Sequence, residues 1–145
     1  MIKHKSYAYA DKVVKNEIPA PKYVIKQCEE FLKICDGKDE RYFLDEQKLS
    51  QSVFAHIDDI LKLLVMPRGL KAGNSIYECS CGYQWLLYAA ALCVVHRENP
   101  NRRRYETVVL EVARKNFKTF TIATIFILLF LLEPKFSKFY SVAPD

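Results

Sequence analysis

The stretch Tyr105–Leu132, YETVVLEVARKNFKTFTIATIFILLFLL, most constrains what this chain can fold into. Tyr105 to Val112 is rich in β-branched and apolar residues, which suits a strand covered on both faces. Ala113 to Phe117 is short and polar and predicts a turn. Lys118 to Leu132 is a continuous apolar run of helical length and predicts a helix buried on all sides. Strand, tight turn and a helix opening on Lys118-Thr119 is the geometry of a phosphate site. A helix N-terminus offers unpaired N–H groups and a positive dipole end, the lysine adds a full charge, and the threonine hydroxyl can ligate Mg²⁺. The pattern G-x-x-x-x-G-K-[ST] is met only in part, because Val112 and Phe117 stand at its two glycine positions.

A chain of 145 residues, half of them hydrophobic, has room for one domain or part of one and can bury a core. The net charge of +5 is compatible with an anionic partner without demanding one. The cysteines are Cys28, Cys35, Cys79, Cys81 and Cys93. Their odd number and irregular spacing argue against a disulfide framework. Cys79-x-Cys81 is not zinc-knuckle spacing and no second pair follows, so reduced, mostly buried thiols are expected. The basic N-terminus has no apolar segment of the secretory kind. Phe120–Leu132 is shorter than the roughly 20 apolar residues of a membrane span, and charged residues close it at both ends.

Upstream, Tyr7–Val14 predicts a short helix. Lys22–Cys35, after Pro21, places Val24, Ile25, Cys28, Phe31, Leu32 and Cys35 on one helical face, and Asp36-Gly37 ends it. Lys38–Leu44 is a charged connection holding Tyr42-Phe43. Asp45 suits an N-cap for a helix over Glu46–Val65, with His56 among solvated positions. Pro67, Gly69 and Gly73 mark a loop. Tyr83 to about His96 predicts a mostly apolar helix, in which Gln84 is an exposed or a capping residue. Arg97–Arg104, RENPNRRR, reads as a solvated basic connection, with direct nucleic-acid contact as the alternative. Ser137–Val142 predicts a second strand, so that strand, helix and strand make a parallel β-α-β unit with a right-handed crossover. Such a unit leaves its sheet edges uncovered, and the sequence looks cut after Asp145.

With these pieces in place, the chain resembles the large subunit of tailed-bacteriophage terminases, over essentially its whole length but only to the N-terminal part of that family's longer chain. A helical N-terminal region comes first. Tyr83-Gln84-Trp85 looks like the family's Trp-Gln-type motif, Arg102-Arg103-Arg104 enters the first strand, and Val112–Thr119, VARKNFKT, looks like the family's A-R-K-N-G-K-[ST] loop. The segment ending Ser141–Asp145 looks like the one after the family's first helix. The resemblance implies an α/β fold: a helical region over residues 1–75, then, over 76–145, the start of a P-loop ATPase domain of the additional-strand type.

It also implies an ATP-driven DNA-packaging motor, in its complete form with an RNase H-like nuclease domain. Lys118 would hold the β- and γ-phosphates of ATP and Thr119 the Mg²⁺. Lys115, Asn116 and Phe117 would complete the loop, Arg114 would contact the γ-phosphate, and Gln84 would pair with the adenine edge. The implied partners are double-stranded phage DNA, the portal protein, the small terminase subunit and further copies of the chain, in the host bacterial cytoplasm and without a membrane.

Phe117 departs from the family's glycine and crowds the loop. The family's Walker B acid, catalytic glutamate and nuclease carboxylates lie downstream of residue 145. This chain alone is therefore expected to bind nucleotide at most. The alternatives are a non-catalytic phage or prophage protein that binds the small terminase subunit or portal, and a small membrane-associated protein built on Phe120–Leu132. With its strands short of neighbours, the C-terminal third is expected to be poorly covered, mobile or self-associating.

Overall fold

The computed structural model describes residues 4–45, 53–67, 69–113, 116–132 and 137–142, the side chains of 53–56 and 132 aside. In chain order its elements are α1 (Lys5–Val14), α2 (Lys22–Cys35), β1 (Tyr42–Leu44), α3 (Val53–Leu63), α4 (Ile76–Cys79), α5 (Gly82–Cys93), β2 (Val94–His96) and α6 (Lys118–Leu132). The fold is mixed but mostly helical. Among the described residues its one sheet is the antiparallel pair β1–β2, with Tyr42 opposite His96, Phe43 opposite Val95 and Leu44 opposite Val94. Two compact units divide at Val108/Val109. The residue-75 boundary drawn from the sequence falls between α3 and α4, inside the first unit.

In the first unit, α1 and α2 end for the same local reason. After α1, Asn16 turns left-handed at φ 59°. Its N–H donates to Val13 O (3.1 Å), and that of Glu17 to Lys12 O (2.9 Å). After α2, Gly37 takes φ 72°, and Gly37 and Lys38 donate to Ile34 O (3.0 Å) and Lys33 O (2.9 Å). Both are Schellman closures, and asparagine and glycine are the residues that adopt them at least cost. The core joins Ala10 and Val13 of α1, Cys28, Phe31 and Ile34 of α2, and Trp85, Tyr88, Ala89 and Leu92 of α5. A Cβ on Gly82 would lie 2.1 Å from the Tyr9 ring, so glycine permits the close approach of α1 to the start of α5.

The helix expected over Tyr83–His96 stops at Cys93, and Val94–His96 becomes β2. Val94 and Val95 are β-branched, and their backbone pairs with β1, a segment that in the sequence reads as a charged connection. Over Glu46–Val65 the structure has α3 from Val53, with Ile57 and Leu61 buried. The expected Asp45 cap and the side chain of His56 bear on segments outside the described residues. In the expected loop, residues 69–73 turn and Val65 lies opposite Ser75; α4 follows, and its N-cap Ser75 accepts from Glu78 N–H (3.2 Å).

In the second unit, α6 spans the residues expected of it. It is not buried on all sides. Thr121, Thr124 and Leu128 form a buried stripe, whereas Ile122, Ile127, Phe130 and Leu131 are exposed. The buried threonines donate their hydroxyls to Phe117 O and Phe120 O, both at 2.9 Å, which satisfies them within the helix. The two strands expected around α6 are not formed. Neither 105–112 nor 137–142 lies in a strand, so the parallel β-α-β unit is absent from the described residues. A strand needs a partner as well as a composition. Val109, Tyr140 and Val142 instead stand exposed. No helix among the described residues is long and apolar enough to cross a membrane.

Candidate nucleotide-binding site

The start of α6 is built on one unusual backbone. Phe117 has φ 56°, a left-handed conformation that costs a residue with a side chain about 1–2 kcal/mol. Its carbonyl accepts the first helical bond, from Thr121 N–H at 2.8 Å, and so sets α6 going. The helix itself supplies no acceptors for the N–H groups of its first turn. Asn116, Lys118 and Thr119 are exposed around that turn, and Arg114 and Lys115 lie outside the described residues. Asn116–Thr119 thus combines amide donors, a dipole end, an ammonium and a hydroxyl, a set that suits phosphate and a phosphate-bound Mg²⁺. The obstacle is a side chain: the Phe117 ring is 56% exposed and packs edge-on against Phe120, with centroids 6.4 Å apart.

Gln84 belongs to the first unit, where it caps α5. Its Oε1 accepts from Cys81 N–H at 2.7 Å, the Cys81 sulfur accepts from Gln84 N–H, and the side chain is buried. Of the two local readings of Gln84, exposed or capping, the structure has the cap. Trp85 is buried with its ring edge-on to His4 (5.4 Å), Tyr77 (5.2 Å) and Tyr88 (6.0 Å). The Lys5 ammonium lies 3.6 Å from the Tyr77 centroid and 5.0 Å from that of Trp85. His4 caps α1 by accepting from Ser6 N–H at 3.1 Å. Gln84 and Lys118 stand in different units.

The basic run is more than a solvated connection. Arg103 sits opposite Val95, and Arg104 N–H donates to Val94 O at 2.9 Å, so the run folds back on β2. Burial lowers the pKa of Arg103, with Cys93 opposing. Arg104 reaches Glu30 at 2.7 Å and stacks between the rings of Tyr42 (4.6 Å) and Tyr105 (4.8 Å). Its Nη1 is buried without a hydrogen-bond partner among the described residues. Tyr105 OH accepts from Gln27 at 2.6 Å. Burial raises the Tyr105 pKa, against the opposing charge of Arg104. Arg102 pairs with Glu106, and Arg97 Nε donates to Asp39 O at 3.0 Å. The sequence reading missed the Arg104 stack, although the aromatic neighbour Tyr105 and the pair Tyr42-Phe43 were its visible signals.

All five cysteines are free thiols, Cys28 and Cys93 buried and Cys81 exposed. No group of three or more His, Cys, Asp or Glu side chains that could hold a metal occurs among the described residues. Compared with protein families, curated proteins and solved structures, the chain matches none.

Proposed function

We propose that the chain is the N-terminal part of a terminase large subunit, an ATP-driven DNA-packaging motor in its complete form, and that Asn116–Thr119 takes the phosphates of ATP with Mg²⁺. The observation that carries this reading is the left-handed backbone of Phe117 immediately before Lys118. It falls at the position where the resembled loop has glycine, the residue that enters this conformation at no steric cost. Strained backbone at the mouth of a helix is a reason to look for function. In this reading Lys118 and the first-turn N–H groups hold the β- and γ-phosphates, and Thr119 orients the metal. The resemblance assigns Arg114 to the γ-phosphate and Lys115 to the loop. Gln84 would have to leave its cap to meet an adenine. The fold is then the opening part of a P-loop ATPase domain. The partners are double-stranded phage DNA, the portal protein, the small terminase subunit and further copies, in the host bacterial cytoplasm.

Calorimetry with Mg²⁺-ATP tests the site on three chains. The wild type is expected to bind, and Lys118→Ala to lose binding. Phe117→Gly, which removes both the ring and the strain, should bind on the order of tenfold more tightly. Failure of the folded wild type and of Phe117→Gly alike would sink the nucleotide reading. The second reading, a non-catalytic protein binding the small terminase subunit or portal, is favoured by the commitment of Gln84 to Cys81. It predicts no nucleotide binding by any of the three.

A further inference from the structure

We propose that the outward face of α2 docks the phosphate backbone of double-stranded nucleic acid through Lys22, Lys26 and Lys33. This surface is independent of the nucleotide site. At about 100° per residue the three lysines fall within about 40° of one another, spread over roughly 17 Å of helix. All three are exposed. They make no ion pair among the described residues, whereas Lys15, Lys38 and Lys62 pair with Asp11, Asp36 and Asp59. Glu29 lies in the same row, and Lys33 also faces the charge of Asp39. The row nevertheless keeps an excess of positive charge.

The start of α2 adds to that field. Pro21 caps it without a side-chain acceptor, and no acid lies in the first turn. Lys22 thus sits in the first turn, where the helix dipole is already positive, an arrangement that opposes helix stability and that an anion would relieve.

The residue types choose the partner. Lysine is depleted from protein–protein interfaces, and this row has no apolar centre of the kind such interfaces bury. A bilayer-bound helix needs an apolar face beside its lysines, but the apolar side of α2 is spent on the core through Cys28, Phe31 and Ile34. Duplex nucleic acid carries a charge about every 1.7 Å of its axis, so phosphates lie within reach of each ammonium. Ammonium groups are point charges without the guanidinium fork, so binding should be independent of base sequence.

The test is fluorescence anisotropy of a short labelled DNA duplex with the full chain, across a salt series. The wild type should bind with an affinity that falls as salt rises. Lys22→Gln/Lys26→Gln/Lys33→Gln should weaken binding more than tenfold, and the log–log salt slope should shrink by about 0.9 for each phosphate that is no longer neutralised. The triple arginine variant should retain binding, and Lys71→Gln, the same charge loss on another element, should change it little. No binding by the wild type at low salt would overturn the proposal, as would a triple glutamine variant with wild-type affinity and slope. Equal affinity for anionic vesicles or an acidic polypeptide, abolished in the same variant, would overturn the choice of partner. Should the triple glutamine chain fail to fold by circular dichroism, the three single variants decide, and unchanged slopes in all three reject the surface.

Discussion

Phe117 and Asn16 are the described non-glycine residues with positive φ, and they differ in how well they suit it. Asparagine enters the left-handed region readily, and a helix C-terminus rewards it there. Phenylalanine has neither advantage. The sequence marks Phe117 as a missing glycine but gives no sign that the backbone keeps glycine's shape, because shape at a non-glycine position is set by what surrounds it. Burial also acts on the thiols. It pushes Cys28 up to about 11, aided by the charge of Glu29, and raises Cys93 further. A raised thiol pKa contributes stability that is fully present below the ordinary value near 9.0 and is lost as pH climbs toward about 11. Tyr9 and Tyr105, also raised by burial, act in the same direction at higher pH. Melting temperatures measured from pH 7 to 11 should therefore fall, and Cys28→Ala should fall less steeply across that window. In the native chain at pH 8, a thiol reagent should label Cys81 first and reach Cys28 and Cys93 only on unfolding. Fast labelling of Cys28 in the folded chain would contradict its burial.

At the scale of elements, the helices whose cause is local were legible. Lys22–Cys35 and Lys118–Leu132 carry their ends in their own sequence, through Pro21 and Gly37 in one case and the opening lysine in the other. The short strands were not. β1 and β2 have three residues each and exist through one another, and the Val94-Val95 pair was hidden inside an apolar run that also fits a helix. The converse error occurred at 105–112, where a strand-like composition finds no partner strand among the described residues. Helix packing yields a sharper expectation. Gly82→Ala places a methyl group against the Tyr9 ring and should destabilise the first unit by about 1–3 kcal/mol. Chemical denaturation measures this, and Gly82→Ala/Tyr9→Ala should recover part of the loss. A single variant as stable as the wild type would mean that α1 can move aside freely.

At the scale of the molecule, the units differ in how much of their apolar surface is covered. The first has a joined core over α1, α2 and α5, whereas the second exposes Ile122, Ile127, Phe130 and Leu131 on a helix with one buried stripe. Among the described residues, the amides of 106–113 make no backbone–backbone hydrogen bond. Hydrogen exchange should accordingly be fast through 106–113 and slow in Cys28–Ile34 and Trp85–Val95. Uniformly slow exchange through 105–142 in a monomer would contradict this exposure. The sequence anticipated poor cover because two strands cannot close a sheet, and the structure reaches the same exposure without strands. The single tryptophan, Trp85, lies wholly within the first unit, wedged among His4, Tyr77 and Tyr88. Its emission is therefore an optical gauge of the first unit alone. Helical ellipticity that melts away from that emission curve belongs to α6, and the gap between the two curves measures how far the two units unfold together.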